Sequence, residues 1–238
     1  VKKEDVVIIT GAAQRLGLYN ARQLTKDGYQ VAITYRTPRD YIQDLEREGI
    51  IAIQADFSSE AGIDAFINTA LDSFTSLRAI VHNASIWETD EAIFSGKTSF
   101  MEIINVQMHA PFKINHALHP LLLASRSAMK DIVHMTDYSV RKGSKFHAAY
   151  CAAKAGRENM ALSFAALFGP QIKVNCIAPA LVKFNTWDSE EYRKAAEKKS
   201  IMGFEPGEAV AYQALSYLFN NPYVTGTTLH LDGGRHLV

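Results

Sequence analysis

Cysteine is scarce in this 238-residue chain: Cys151 and Cys176 are the two. Two cysteines make no disulfide framework, so a hydrophobic core must hold the fold, and a reducing, cytoplasmic compartment is expected. Neither sign of charge is in excess. Twenty-five Lys and Arg balance 25 Asp and Glu, and the pI is near 7.2. That balance argues against nucleic acid or an anionic membrane as a partner. Apolar runs stay far short of the roughly 20 residues of a membrane span. The eight histidines are scattered, none joined to a cysteine or carboxylate at ligand spacing, so no metal is expected. No linker or low-complexity tract divides the chain. The opening Val1-Lys-Lys-Glu-Asp leads straight into a strand, which predicts no secretory leader.

What is present is 47% hydrophobic content and a regular rhythm. Strands are expected at Val6–Thr10, Gln30–Thr34, Ile51–Gln54, Ala79–His82, Ile132–Met135, Lys173–Ile177 and Thr228–Leu231. Helices are expected between them, at about Leu16–Asp27, Asp40–Glu48, Ala61–Asp72, Ser99–Leu123, Ala148–Phe168 and Glu208–Asn220. Such alternation predicts a single α/β domain, a Rossmann-like, doubly wound parallel sheet of seven strands with helices on both faces. The stretch 182–206 breaks the rhythm with Trp187 and a charged helix around Glu190–Lys199, and reads as a lid over a substrate.

Tyr150 and Lys154 lie four apart at the start of a long helical pattern that Gly169-Pro170 stops. On a helix they share one face, so a phenol and an ammonium can work as one acid/base unit. A cation about 4 Å from the phenol, at an effective dielectric of about 20, is worth at most roughly 4 kcal/mol. Tyr138 and Lys142 have the same spacing, but they follow a strand and precede Gly143-Ser144, so they sit in a loop where the spacing aligns nothing.

Upstream, Val6-Val-Ile-Ile-Thr-Gly11 is a buried strand running into the turn Gly11-Ala-Ala-Gln-Arg15-Leu-Gly17 and a helix. Small residues let the backbone approach a pyrophosphate, whose charge a helix N-terminus favours. The glycines at 11 and 17 do not form a G-x-G-x-x-G fingerprint. After the second strand come Tyr35-Arg36-Thr37, with a guanidinium where an acidic residue would select NAD. Arginine matches a 2′-phosphate, so NADPH/NADP+ is the expected cofactor.

Taken together, Thr10-Gly11 with Gly17, Asp56, Asn83-Ala84, Asn105, Tyr150 with Lys154, Pro179 and Asp232-Gly-Gly234 fall in one order and spacing. Over essentially its whole length the chain resembles the short-chain dehydrogenase/reductase family. Three departures narrow the resemblance. Arg15 replaces a middle glycine, Asp137 stands thirteen residues before Tyr150 in place of serine, and Ser85 and Trp87 follow Asn83-Ala84. These features look like pteridine reductases, most nearly the bacterial dihydromonapterin reductase type. A fourth departure, the missing glycine in Ile177-Ala-Pro179-Ala180, bears on the nicotinamide contacts.

The resemblance implies roles. Thr10, Gly11, Arg15, Leu16, Gly17, Tyr35, Arg36, Thr37, Asp56, Phe57, Asn83, Ala84, Ser85, Lys154, Pro179 and the Val182 backbone would hold the cofactor. Arg15, Ser85, Trp87, Asp137 and Tyr150 would meet a pterin. Tyr150, Lys154, Asp137 and Asn105 would be catalytic, Asn105 through a structural water leading to Lys154. Hydride would go to C6 of a 7,8-dihydropterin and a proton to N5. A carboxylate beside Tyr150 opposes the cation and raises the phenol's pKa, which points to distinct proton roles. A homotetramer is implied, with Arg235 or His236 near a neighbouring site. A generic ketone or 3-oxoacyl-carrier-protein reductase is the alternative on the same scaffold, and a non-catalytic dinucleotide-binding regulator is a second.

Overall fold

The structure, a computed structural model, describes residues 2–238; Val1, the first residue of the opening stretch, lies outside them. Among the described residues the strands β1 (Val6–Ile9), β2 (Gln30–Tyr35), β3 (Ile51–Gln54), β4 (Leu77–His82), β5 (Asp131–Met135), β6 (Lys173–Pro179) and β7 (Thr228–Leu231) form one seven-stranded sheet, ordered β3-β2-β1-β4-β5-β6-β7. Every pairing is parallel. Parallel strands need crossovers, and the chain supplies them as helices α1 (Arg15–Lys26), α2 (Ile42–Arg47), α3 (Glu60–Ser73), α4 (Asp90–Phe94), α5 (Phe100–Ile104), α6 (Ala110–Leu123), α7 (Ala148–Phe168), α8 (Glu190–Glu197) and α9 (Ala209–Asn220). The expected Rossmann-like architecture is the one observed.

Strand side chains alternate between two cores. Val6 and Ile8 of β1, with Ile80, Ile132 and Val174, pack against α3, α6 and α7. Val7 and Ile9, with Val31, Val81 and Val133, pack against α1, α2 and α9. Each central strand is buried on both faces, so its sequence reads as a continuous apolar run rather than an alternating one. At the N-terminal strand ends the buried Asp131 carboxylate lies between Arg78 (2.7 Å) and Lys173 (3.0 Å). At the opposite edge the strand order reverses between β1 and β4, and the loops there diverge to leave a crevice where α/β sheets bind ligands.

The expected helix 99–123 is corrected in one respect. It is two α-helices joined by a π turn, Asn105–His109, in which the Ala110 N–H reaches back to the Asn105 carbonyl. The cause is local. Pro111 has no N–H to give the Gln107 carbonyl four residues before it, and its ring crowds that carbonyl, so the turn widens by one residue. The short helix α4, not expected, is capped by the Thr89 side chain.

Candidate active site

The crevice begins with the turn after β1. The Thr10 hydroxyl accepts from the N–H groups of Asn83 and Ala84, both at 3.0 Å, and the Asn83 amide donates to the Thr10 and Gly11 carbonyls at 3.0 and 2.9 Å. These bonds join the end of β1 to the end of β4. Gly11 has φ +61°, and a Cβ on it would sit 2.7 Å from the Ala84 Cα; one on Gly17 would sit 2.6 Å from the Asn83 amide nitrogen. The two glycines therefore let a backbone cradle close at the head of α1. Arg15 adopts φ +52°, a conformation that glycine takes freely and arginine takes at a cost of about 1–3 kcal/mol. Its guanidinium does not turn to the cradle. It donates to the Asn185 side chain (2.6 Å) and the Lys183 carbonyl (3.3 Å) in the stretch 182–206.

A cavity of about 200 Å³ continues from this turn, lined among others by Thr34, Tyr35, Arg36, Thr37, Asp56 and Phe57. One carboxylate oxygen of Asp56 accepts from the Ser58 N–H (3.0 Å), which sets the turn. Phe57 is buried against Phe66, ring edge to ring face. Arg36 is exposed at the rim, and the cavity wall also includes Arg39, which sequence reasoning passed over. Arg39 bonds the Gln14 side chain (2.7 Å), so two guanidiniums flank the end of β2. Arg39 lies three residues beyond Arg36, and only the course of the loop brings it to the same wall. A cradle that side chains would fill and a cationic rim fit a dinucleotide phosphate carrier. Leu16 is half-buried on α1, and Pro179 closes β6. Val182 is buried, and its carbonyl accepts from the Gly207 N–H (2.8 Å).

The acid/base residues meet where β4, β5 and α7 converge. The Tyr150 hydroxyl donates to one carboxylate oxygen of Asp137 (3.1 Å), and the other accepts from the Ser139 N–H (2.8 Å). Asp137 thus caps the turn after β5 and touches the phenol at once. Burial first, then the Asp137 charge, push the phenol's pKa up; the Ser85 hydroxyl and the Arg157 charge pull it back. Lys154 was expected to hold Tyr150 acidic, but its ammonium lies 5.5 Å from the phenol ring centre and donates instead to the Met135 carbonyl (2.8 Å). Full burial, then the nearby Arg157, drive the Lys154 pKa down. The phenol is therefore held protonated, as a proton donor requires.

Trp87 is no core residue. It is 57% exposed, stacked on His147 (4.0 Å between ring centres) and perpendicular to the Tyr150 ring (4.5 Å, planes at 83°). Asn105 sits in the π turn and gives its amide to the Ser58 carbonyl (2.7 Å). Sequence reasoning also missed Gln107 and Arg157. Gln107 is fully buried and donates to the Ser85 hydroxyl (2.8 Å) and the Ile86 carbonyl (3.3 Å). Tyr138 and Lys142, the other pair four residues apart, lie elsewhere: Arg235 lies over the Tyr138 ring (4.7 Å) and Lys142 bonds the Val238 carbonyl (2.8 Å). His236 holds Asp232 within the same tail (2.5 Å). Beneath α8 lies a separate apolar cavity of about 290 Å³, which Tyr150, Lys154 and Asp137 do not line.

A strand–turn–helix phosphate cradle beside a buried Tyr–Lys pair defines a nicotinamide-dependent oxidoreductase, and the chain belongs to the short-chain dehydrogenase/reductase family. A family profile described as "Enoyl-(Acyl carrier protein) reductase" matches residues 11–236. The chain is 42% identical over 231 residues to the dihydromonapterin reductase of Klebsiella pneumoniae subsp. pneumoniae, covering 97% of this chain and 96% of that protein. Over the same shares it is 41% identical to that of Enterobacter sp. strain 638 and 42% to that of Escherichia coli strain SMS-3-5. A solved apo SCOR enzyme from Clostridium thermocellum shares the fold at TM-score 0.84 and 21% identity, over 99% of this chain and 94% of that one. No helix among the described residues is long and apolar enough to cross a membrane.

Proposed function

We propose that the protein reduces a 7,8-dihydropterin, of the dihydromonapterin kind and with dihydrofolate as a second acceptor, using NADPH. The observation that carries this reading is the phenol of Tyr150 bonded to a carboxylate, Asp137, with the open indole of Trp87 beside it. Bound NADPH supplies the hydride for C6. Arg36 and Arg39 would hold its 2′-phosphate and Lys154 its ribose. Tyr150, kept protonated by burial and by Asp137, faces the substrate with Asp137 as the group that exchanges its proton with solvent, and together they serve a ring nitrogen, N5. Trp87, 57% exposed, would stack on a flat ring, worth about 0.5–1.5 kcal/mol beyond its buried area. Ser85 stands beside Tyr150 to bond the pterin edge.

Residues 182–206 form the lid in this reading, tied to the phosphate turn through Arg15 and Asn185. Phe112, 47% exposed in an aromatic cluster with Phe164 and His116 that joins α6 to α7, suits a homotetramer contact. Two free, buried cysteines suit the cytoplasm.

The test is NADPH consumption with 7,8-dihydromonapterin, dihydrofolate and a 3-oxoacyl thioester in parallel. Turnover of the dihydropterin ahead of the thioester is expected. Thioester turnover without dihydropterin turnover would put the acyl reductase first, and nucleotide binding with no turnover would favour a regulator.

A further inference from the structure

Among the described residues Arg157 is the largest fully buried side chain, and no carboxylate pairs with it. Its five guanidinium bonds all go to backbone carbonyls. Nε reaches Gln107 (2.5 Å), Nη1 reaches Met135 (3.2 Å) and His82 (3.4 Å), and Nη2 reaches Val106 (3.1 Å) and Ala84 (3.4 Å). These carbonyls end β4 and β5, begin the loop to Ser85, and line the π turn. Two of them are orphans of that turn. Pro111 gives Gln107 no N–H, and the Ala110 N–H that would serve Val106 goes to Asn105. A buried carbonyl left unpaired costs about 1–3 kcal/mol, and a planar fork of five donors is suited to collecting several at once.

Two links run from Arg157 to the acid/base unit. The Met135 carbonyl that it shares is the one that fixes the Lys154 ammonium. The Gln107 backbone that it holds carries the amide that fixes the Ser85 hydroxyl. We propose that Arg157 is a positioning residue for Tyr150 and Lys154, acting through Met135 on one side and through Gln107 and Ser85 on the other. The inference rests on the acid/base reading of the site but not on the pterin, since it applies to whichever substrate is reduced. Its positive charge has a second effect, lowering the pKa of both Tyr150 and Lys154. The other titratable groups that face the pair are Asp137 beyond β5, His134 in β5, Cys176 in β6 and Glu158 in α7; His82 in β4 stacks on His134.

Three variants test this on the full-length protein, with Tyr150→Phe as the control. Gln107→Leu keeps the backbone carbonyl and removes the amide that steers Ser85. Arg157→Lys keeps the charge and loses the fork, and Arg157→Met loses both. Nucleotide affinity by fluorescence and the thermal midpoint are read beside kcat and its pH profile. The expected result is a kcat loss of about tenfold or more in Gln107→Leu and Arg157→Lys with nucleotide Kd within about threefold of wild type. Arg157→Met should lose more and move the apparent pKa values of kcat upward, which Arg157→Lys should not. If Arg157→Met does not fold, the other two variants decide. Folded variants with kcat within about threefold of wild type and an unmoved profile would overturn the proposal, as would losses in kcat and nucleotide affinity of equal size. Should Tyr150→Phe itself leave the rate intact, the acid/base reading has failed; should it collapse the rate while the Arg157 and Gln107 variants do not, the positioning role alone has failed.

Discussion

At the scale of residues, the site is a contest of charges settled by burial. A lysine four residues from a tyrosine promises a lowered phenol pKa, but Lys154 spends its ammonium on the Met135 carbonyl, and desolvation with Asp137 outweighs the remaining cation. Tyr150 and Lys154 are legible in the sequence because helix periodicity places them. The partners of Lys154 are not, because they are backbone carbonyls that any residue carries. At the cofactor end, Arg36 could be read from its place after β2, whereas Arg39 enters only through the course of the loop. Replacing both by leucine should reduce kcat/KM for NADPH by about 10- to 100-fold, the worth of one or two charge-assisted hydrogen bonds at about 1.4 kcal/mol per decade. The value for NADH should stay within about threefold. Steady-state kinetics with both nucleotides check this, and equal losses with each would place the arginines outside the 2′-phosphate site.

At the scale of elements, apolar runs and βα alternation sufficed for the sheet, since strands buried on both faces must be continuously apolar. The π turn shows where a coarse reading stops. Pro111 within an expected helix is itself a sign that the Gln107 carbonyl needs another partner, and Arg157, buried with no acid to meet it, is that partner. Reading 99–123 as one uninterrupted helix passes over both. The far end of the sheet carries a different load. Asp131 joins β4, β5 and β6 through Arg78 and Lys173, some distance along the strands from the chemistry. Asp131→Asn should leave two buried cations without a counter-ion and destabilise the fold by about 3–5 kcal/mol, read from denaturant midpoints. A change under about 1 kcal/mol would mean that solvent reaches the triad.

At the scale of the molecule, the polar core sets an acid limit. His82 and His134 pair across β4 and β5, stacked at 4.7 Å, and burial is the leading cause that lowers both pKa values, His82 to about 3. The unfolded chain takes up these protons near pH 6.5 and the folded chain does not. The histidines' contribution to stability is therefore complete above about pH 6.5 and is lost as pH falls toward 3, by up to about 1.4 kcal/mol per pH unit per histidine. Denaturant midpoints that stay level from pH 6.5 down to 5 would contradict this. Function too is a property of the whole crevice, because the turn after β1, the loop after β4, the turn after β5 and α7 each supply one part of the site. In the proposed function, a carboxylate beside the phenol adapts a common reductase scaffold to a ring nitrogen. The most direct test is Asp137→Ser, with kcat/KM for 7,8-dihydromonapterin measured beside the Kd for NADPH. The account predicts a loss of about 100-fold or more in the first and little change in the second. Undiminished pterin reduction, or equal losses in both, would contradict it.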